Sequence, residues 1–270
     1  LLAELEQRAA ENAAEAADVE KNISGARSRF AARAEERGEL RVQIESSDEE
    51  IAVQRNALAG RRSRADVLRD LEVRGEGVEV GTRHLLERTA EGQTIHGMVA
   101  DLVEVDAPYA RAIEAALGGA VQHLVADTLD AATEAVTHLK TTDGGRSTLL
   151  ALDRLGGNGR NGHQPPEHPS VIGRALDLVR YTDQVAPAMQ HLLGDTFVVS
   201  DLGGAVEIAR TAEADIRLAT LEGDVLHSRG FVSGGSEQDK AGLLSRKNEL
   251  RVLTSEIEES ERRLEQLRAQ

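Results

Sequence analysis

HGMVADLVEVDAPYARAIEAALGG (residues 96–119) and IGRALDLVRYTDQVAPAMQHLLGD (residues 172–195) are two versions of one segment, set 76 residues apart. The constant offset matches Gly97 with Gly173, Asp101 with Asp177, Leu102 and Val103 with Leu178 and Val179, and Leu117 and Gly118 with Leu193 and Gly194. Self-similarity at a fixed spacing marks a duplicated supersecondary unit. In each copy an alternating strand leads into an Ala-rich helix that ends at a glycine. An apolar strand (VQHLVAD, TFVVSD), a second helix (LDAATEAVTHLK, GGAVEIARTA) and a further strand (RSTLLALD, DIRLATLEGDVLH) follow. The pattern predicts an α/β fold with two subdomains, the first over about 75–155 and the second over about 171–239. Between them, GGNGRNGHQPPEHPS (residues 156–170) is a flexible linker by composition.

On either side of this duplicated region the period changes. Residues 1–74 hold no proline, and only Gly25, Gly38 and Gly60 interrupt their helical character. Heptad a sites at 2, 9, 16 and onward, with d sites at 5, 12, 19 and onward, are apolar at 14 of 20 positions, among them Leu2, Leu5, Val19, Ile23, Phe30, Leu40, Ile44, Ile51, Leu58, Ala65 and Leu68. That is a coiled-coil seam, and at 1.5 Å per residue it would extend for about 110 Å. Arg33 and Arg37 fall on consecutive seam positions and predict looser packing there.

Residues 240–270 repeat the spacing with Leu243, Leu250, Leu253, Ile257, Leu264 and Leu267, broken by Arg246 and Ser260. A coil, a globule and a second coil imply a chain that turns round inside the globule and returns, with antiparallel arms. In such a pair the facing positions keep a constant sum, and the apolar pattern suits 318 (Leu68 with Leu250) and 311 (Leu68 with Leu243) equally well. In either register the shorter arm reaches back only to about residue 44, so residues 1–43 have no partner in the chain. The absence of an initiator Met, with helical patterning at both ends, points to a piece of a longer protein.

Composition narrows the chemistry. Aromatic residues make up 2% of the chain and Trp is absent, so the core must be Leu, Val, Ile and Ala, which argues against a deep aromatic ligand pocket. With no Cys, disulfides and thiolate metal sites are excluded, and a reducing, cytoplasmic setting is expected. No window is apolar enough for a membrane span or a signal peptide. The net charge of −15 divides into −3 for residues 1–74, −13 for 75–239 and +1 for 240–270. The globule should therefore repel phosphates, and any DNA contact must come from local basic clusters. Two such clusters exist, each locally +3: residues 55–74, with Arg61, Arg62 and Arg64, and residues 240–251, with Lys240, Arg246 and Lys247. If the arms pair, both lie at the neck where coil meets globule, as a solvated flank or as a DNA contact.

Two glycine clusters stand out. GDVLHSRGFVSGG carries Gly223, Gly230, Gly234 and Gly235 inside β-rich sequence, where glycine serves a turn, a bulge or a close backbone approach. Gly118 and Gly119 sit between a helix and a strand, which suits a helix C-cap and tight turn or a phosphate cradle. They follow a helix instead of opening one, and no Gly-Lys-Ser or Gly-Lys-Thr occurs, so a P-loop is absent. The eight His show no ligand spacing, His163 and His168 share the linker, and Ser228 and Ser233 lack an acid-base set. We expect no catalytic residues, no metal and no cofactor.

The spacing from Gly223 to Gly235, the segment HGMVADLVEV running into YARAIEAALGGAVQHLVAD, the duplicated half and the heptad flanks together resemble the hinge of the structural maintenance of chromosomes (SMC) proteins, most closely the bacterial type. The resemblance covers the whole chain. It implies a homodimer in which strands of one subdomain pair with strands of the other subdomain of a second copy, at two equivalent contacts. Gly118, Gly119, Gly223, Gly230, Gly234 and Gly235 would line them. It also implies a non-enzymatic role in chromosome condensation and segregation, near the nucleoid, with ATPase heads and accessory subunits on parts of the protein outside this segment. Two other readings stay open: a hinge-like module of a related DNA-repair or silencing protein, and a small-ligand-binding α/β domain on coil spacers.

Overall fold

The structure is a computed structural model that describes residues 2–88, 94–155, 163–235 and 242–269. In chain order the elements are α1 (Leu2–Val73), α2 (Val80–Arg88), β1 (Ile95–Met98), α3 (Val99–Leu102), β2 (Glu104–Val105), α4 (Ala110–Leu117), β3 (Leu124–Ala126), α5 (Leu129–Thr142), β4 (Leu149–Ala151) and α6 (Leu152–Leu155). The second half adds β5 (Val171–Arg174), β6 (Val179–Arg180), α7 (Ala186–Leu193), β7 (Thr196–Val199), α8 (Leu202–Thr211), β8 (Arg217–Thr220), β9 (Val225–His227), β10 (Val232–Ser233) and α9 (Leu243–Ala269). The chain divides into two compact units, Leu1–Arg61 with Ile257–Gln270, and Arg62–Glu256.

The duplication is visible strand by strand. β5 repeats β1 and α7 repeats α4 at the 76-residue offset read from sequence. β1 pairs antiparallel with β3 through Ile95↔Ala126, Gly97↔Val125 and Met98↔Leu124. The counterpart pairs are Val171↔Val199, Gly173↔Val198 and Arg174↔Phe197, with the register shift at the matching place. Past the helix the offset falls to 73, because only the first copy inserts a 3-10 turn, Gly118–Gln122. In both copies the next pairing is parallel, β3 with β4 and β7 with β8, each joined through a crossover helix. Equivalent caps start those helices: the Thr128 side chain accepts from Ala131 N–H, and Asp201, 73 residues on, accepts from Gly204 N–H.

The copies are locked together by a ladder that no local pattern announces. β2 pairs antiparallel with β6, and in the pair Glu104↔Arg180 the partners are repeat equivalents. A local two-fold axis therefore passes between them, and the carboxylate and guanidinium form an ion pair. One core runs across both copies, uniting Val99, Ile113, Leu117 and Val125 with Ala175, Val185, Met189, Leu193 and Val198. Burying each large side chain contributes about 1.5–3 kcal/mol. β7 is buried at all four residues, as an interior strand must be: Phe197 and Val199 face α8, whereas Val198 joins the common core.

Three expectations are corrected. DIRLATLEGDVLH is not one strand: it breaks at Gly223 (φ +91°) into β8 and β9, and β10 continues the sheet to five strands in the order β10-β9-β8-β7-β5. The linker read as flexible is tied down over its described part. Arg174 donates to the His163 carbonyl at 2.6 Å, His163 Nδ1 lies 2.9 Å from Asp195, and His168 Nε2 lies 3.1 Å from Glu207. Residues 156–162 lie outside the described residues. His123, expected within a strand, instead ends the 3-10 turn just before β3.

The arms follow the heptad. Between Ser47 and Leu68 the partly or fully buried positions are 47, 51, 54, 58, 61, 65 and 68, which are the assigned a and d sites. Residues 15–46 are exposed throughout, Phe30 at 79%, as expected where the returning arm no longer reaches. Within the first unit Glu50 pairs with Arg263 and within the second Arg64 pairs with Glu249, each pair summing to 313, whereas Glu72 and Lys247 in the second unit sum to 319. In the second unit the α9 partner moves back as the α1 residue moves forward, from Arg64 with Glu249 to Glu72 with Lys247, so the arms run antiparallel there. These sums fall beside both candidate registers, 313 near 311 and 319 near 318; Ile44 is 61% exposed, so the Ile44–Leu267 layer of the 311 register is not formed.

Candidate dimerisation interface and neck

The second glycine motif builds a sheet edge. Thr220 N–H donates to the Asp224 carbonyl at 2.8 Å and Gly223 N–H to the Thr220 carbonyl at 2.9 Å, closing the β8–β9 turn. A second tight loop follows, where Gly230 (φ +93°) donates to the His227 carbonyl at 2.9 Å and His227 N–H donates to the Phe231 carbonyl at 2.7 Å. β10 then pairs with β9 through Val232↔Leu226 and Ser233↔Val225 and ends the sheet, with no strand beyond it among the described residues. Phe231 and Val232 are 62% and 59% exposed on this edge. An apolar edge with unpaired backbone groups is a template for a partner strand.

Asp224 holds the edge in place, a role the sequence reading missed. Its carboxylate accepts from Thr220 Oγ1 at 3.2 Å and from Gly235 N–H at 3.3 Å. A Cβ at Gly234 would stand 2.1 Å from Asp224 Oδ1, so a side chain there must displace the Asp224 carboxylate. Gly223, Gly230, Gly235 and Gly118 each have positive φ, which side chains resist. Gly119 differs: its φ is ordinary and a Cβ there meets nothing within 4 Å. Nothing among the described residues requires a glycine at position 119.

The Gly118–Gly119 loop and the second copy's sheet are mechanically joined. Arg217, on β8, donates from Nη1 to the Ala116 carbonyl at 2.7 Å and from Nε to His227 Nε2 at 3.1 Å. The last turn of α4, immediately before Gly118, is thus anchored to the sheet that ends in β10. Sequence offered one signal for this, a charged residue opening an otherwise apolar strand.

The basic neck is largely engaged with its own chain. Arg64 donates to both Glu249 oxygens, at 2.7 and 3.0 Å, and that hydrogen bond and charge raise its pKa. Lys247 lies against Glu72 and Asp101; burial opposes its charge, but the two carboxylates outweigh burial and raise its pKa. Arg246 Nη2 donates to the Glu76 carbonyl at 3.0 Å. Arg61 occupies a half-buried seam position, Arg62 is exposed, and Lys240 lies outside the described residues. A cavity of about 350 Å³ opens beside Arg246 and Lys247, walled by Leu68, Leu71, Met98, Leu243 and Leu250. Among the described residues no group of three or more His, Asp or Glu could hold a metal, and no helix is long and apolar enough to cross a membrane. Ser228 Oγ donates to the Ala214 carbonyl at 2.9 Å and accepts from Ile216 N–H at 3.1 Å, a turn-forming role.

Fold and edge together define a duplicated α/β association module carried on antiparallel coil arms. The profile of the SMC proteins Flexible Hinge Domain matches residues 92–209. The Chromosome partition protein Smc of Desulfitobacterium hafniense is 34% identical over 231 residues, covering 83% of this chain and 19% of the relative. Its counterpart in Bacillus subtilis is 33% identical over 204 residues, covering 74% and 17%. The chain thus spans about a fifth of the length of the curated relatives it matches. Among solved structures, an asymmetric dimer of the Geobacillus stearothermophilus SMC hinge domain superposes with a TM-score of 0.72 at 32% identity, covering 85% of this chain and 94% of that one. The chain belongs to the SMC hinge family.

Proposed function

We propose that this segment joins two copies of an Smc-type chromosome partition protein, the outer edge of β10 in one copy meeting the Gly118–Gly119 loop of the other, so that two-fold symmetry makes the contact twice. The observation that carries this reading is the free β10 edge with Phe231 and Val232 exposed, and the unexplained glycine at 119 supports it. The closed assembly would encircle or tether DNA near the nucleoid, and the segment's own chemistry is association, with no catalytic step or cofactor.

Light scattering on the full chain tests the contact. Gly119→Glu introduces a charge where the own chain offers open space, and Val232→Glu does the same on the edge. Each should yield a monomer with unchanged circular dichroism. A Gly119→Glu/Val232→Glu chain that remains dimeric at micromolar concentration would overturn the assignment. Gly234→Glu is unsuitable, because it collides with Asp224 and disturbs the monomer too.

At the neck we propose only a weak, sequence-independent grip on DNA, since Arg64, Arg246 and Lys247 already face acceptors of their own chain.

A further inference from the structure

The return arm begins on a carboxylate from the other end of the fold. Glu114, on α4, accepts from Leu244 N–H at 3.0 Å and Ser245 N–H at 3.1 Å on one oxygen each, and from Ser245 Oγ at 2.6 Å. These amides open the first turn of α9, a helix of 27 residues, so Glu114 acts as its N-cap from 130 residues away in sequence. A negative charge at this end also complements the helix dipole. Gly242 admits it: a Cβ there would stand 2.0 Å from Glu114 Oε1. Through its main chain the same residue reaches the loop, since the Glu114 carbonyl accepts from Gly118 N–H.

We propose that Glu114 is the positioning residue that couples the Gly118–Gly119 loop to the first turn of the return arm. This rests on the dimer reading above. A partner strand against the loop stiffens the last turn of α4, Arg217 braces that turn from the other side, and the Glu114 carboxylate transmits its position to Leu244 and Ser245. Farther along, Lys247 and Arg251 hold α9 to Asp101 and Glu104 independently of the loop, so the coupling is confined to the first turn.

Amide hydrogen exchange in the full chain tests this residue by residue. Glu114→Ala should speed exchange at Leu244 and Ser245 by about five- to tenfold, the factor a lost cap implies, while amides beyond Arg251 and the dimer mass are unchanged. Glu114→Gln keeps an acceptor oxygen and should recover part of the protection. Gly119→Glu should speed exchange at the same two amides, but add nothing in a Glu114→Ala background. Unchanged exchange in Glu114→Ala, or additive effects in the double variant, overturns the coupling. A Gly119→Glu chain that stays dimeric overturns the interface reading instead, and the cap is then judged on Glu114→Ala alone.

Discussion

Thr128 and Asp201 do the same job in the two copies with different chemistry. Thr128→Ala leaves Ala131 N–H without its acceptor at the start of α5 and should cost about 1 kcal/mol, measured by urea denaturation. Asp201 receives hydrogen bonds from Ser200 Oγ and from the amide of Gly204, which hold its pKa below the ordinary carboxylate value. A depressed folded pKa adds stability that is present above the unfolded value and lost as pH falls through the folded one. Asp201→Asn should therefore flatten the acid limb of the stability curve, whereas Thr128→Ala lowers the curve at every pH. Equal acid limbs in Asp201→Asn and the parent would refute this role. Gly119 is the contrasting case, a residue whose identity its own fold leaves unconstrained.

Among the elements, the arms give the most direct test. The chain has no native Cys, so introduced pairs report cleanly. Arg64→Cys with Glu249→Cys should crosslink within one chain through a short bis-maleimide, because those side chains meet in the second unit. Leu68→Cys with Leu250→Cys, the pair of the 318 register, should crosslink within one chain as well, since Glu72 meets Lys247 one turn away at a sum of 319 and both leucines line one cavity. Failure of both pairs to react, or bridges only between chains, would contradict the arrangement. The seam could not choose its register from apolar residues alone, because each candidate stacked three apolar layers. The exposure of Ile44 removes one of the three layers of the 311 register.

For the molecule as a whole, charge decides how nucleic acid is met. The globule carries most of the −15, and much of the basic neck is paired internally. Retention of DNA in a gel shift should be confined to low salt, vanish by about 0.2 M and show no sequence preference. Arg62→Glu should weaken it further with the circular dichroism unchanged. Retention that persists at high salt, or that is indifferent to Arg62, would sink the neck proposal.

The sequence by itself determined the duplicated α/β unit, the order of its main strands and helices and the heptad seam, because each is written in a local period or a fixed offset. It also located both glycine clusters. Only the tertiary structure decided what those clusters do: the β8–β9 break, the exposed β10 edge, and the Asp224 carboxylate that packs against Gly234 while leaving Gly119 unexplained among the described residues. The β2–β6 ladder, the Arg217 brace and the Glu114 cap join residues 76, 101 and 130 positions apart. Single polar contacts at such separations impose no periodicity on the chain, so they become visible only when folding brings their partners together.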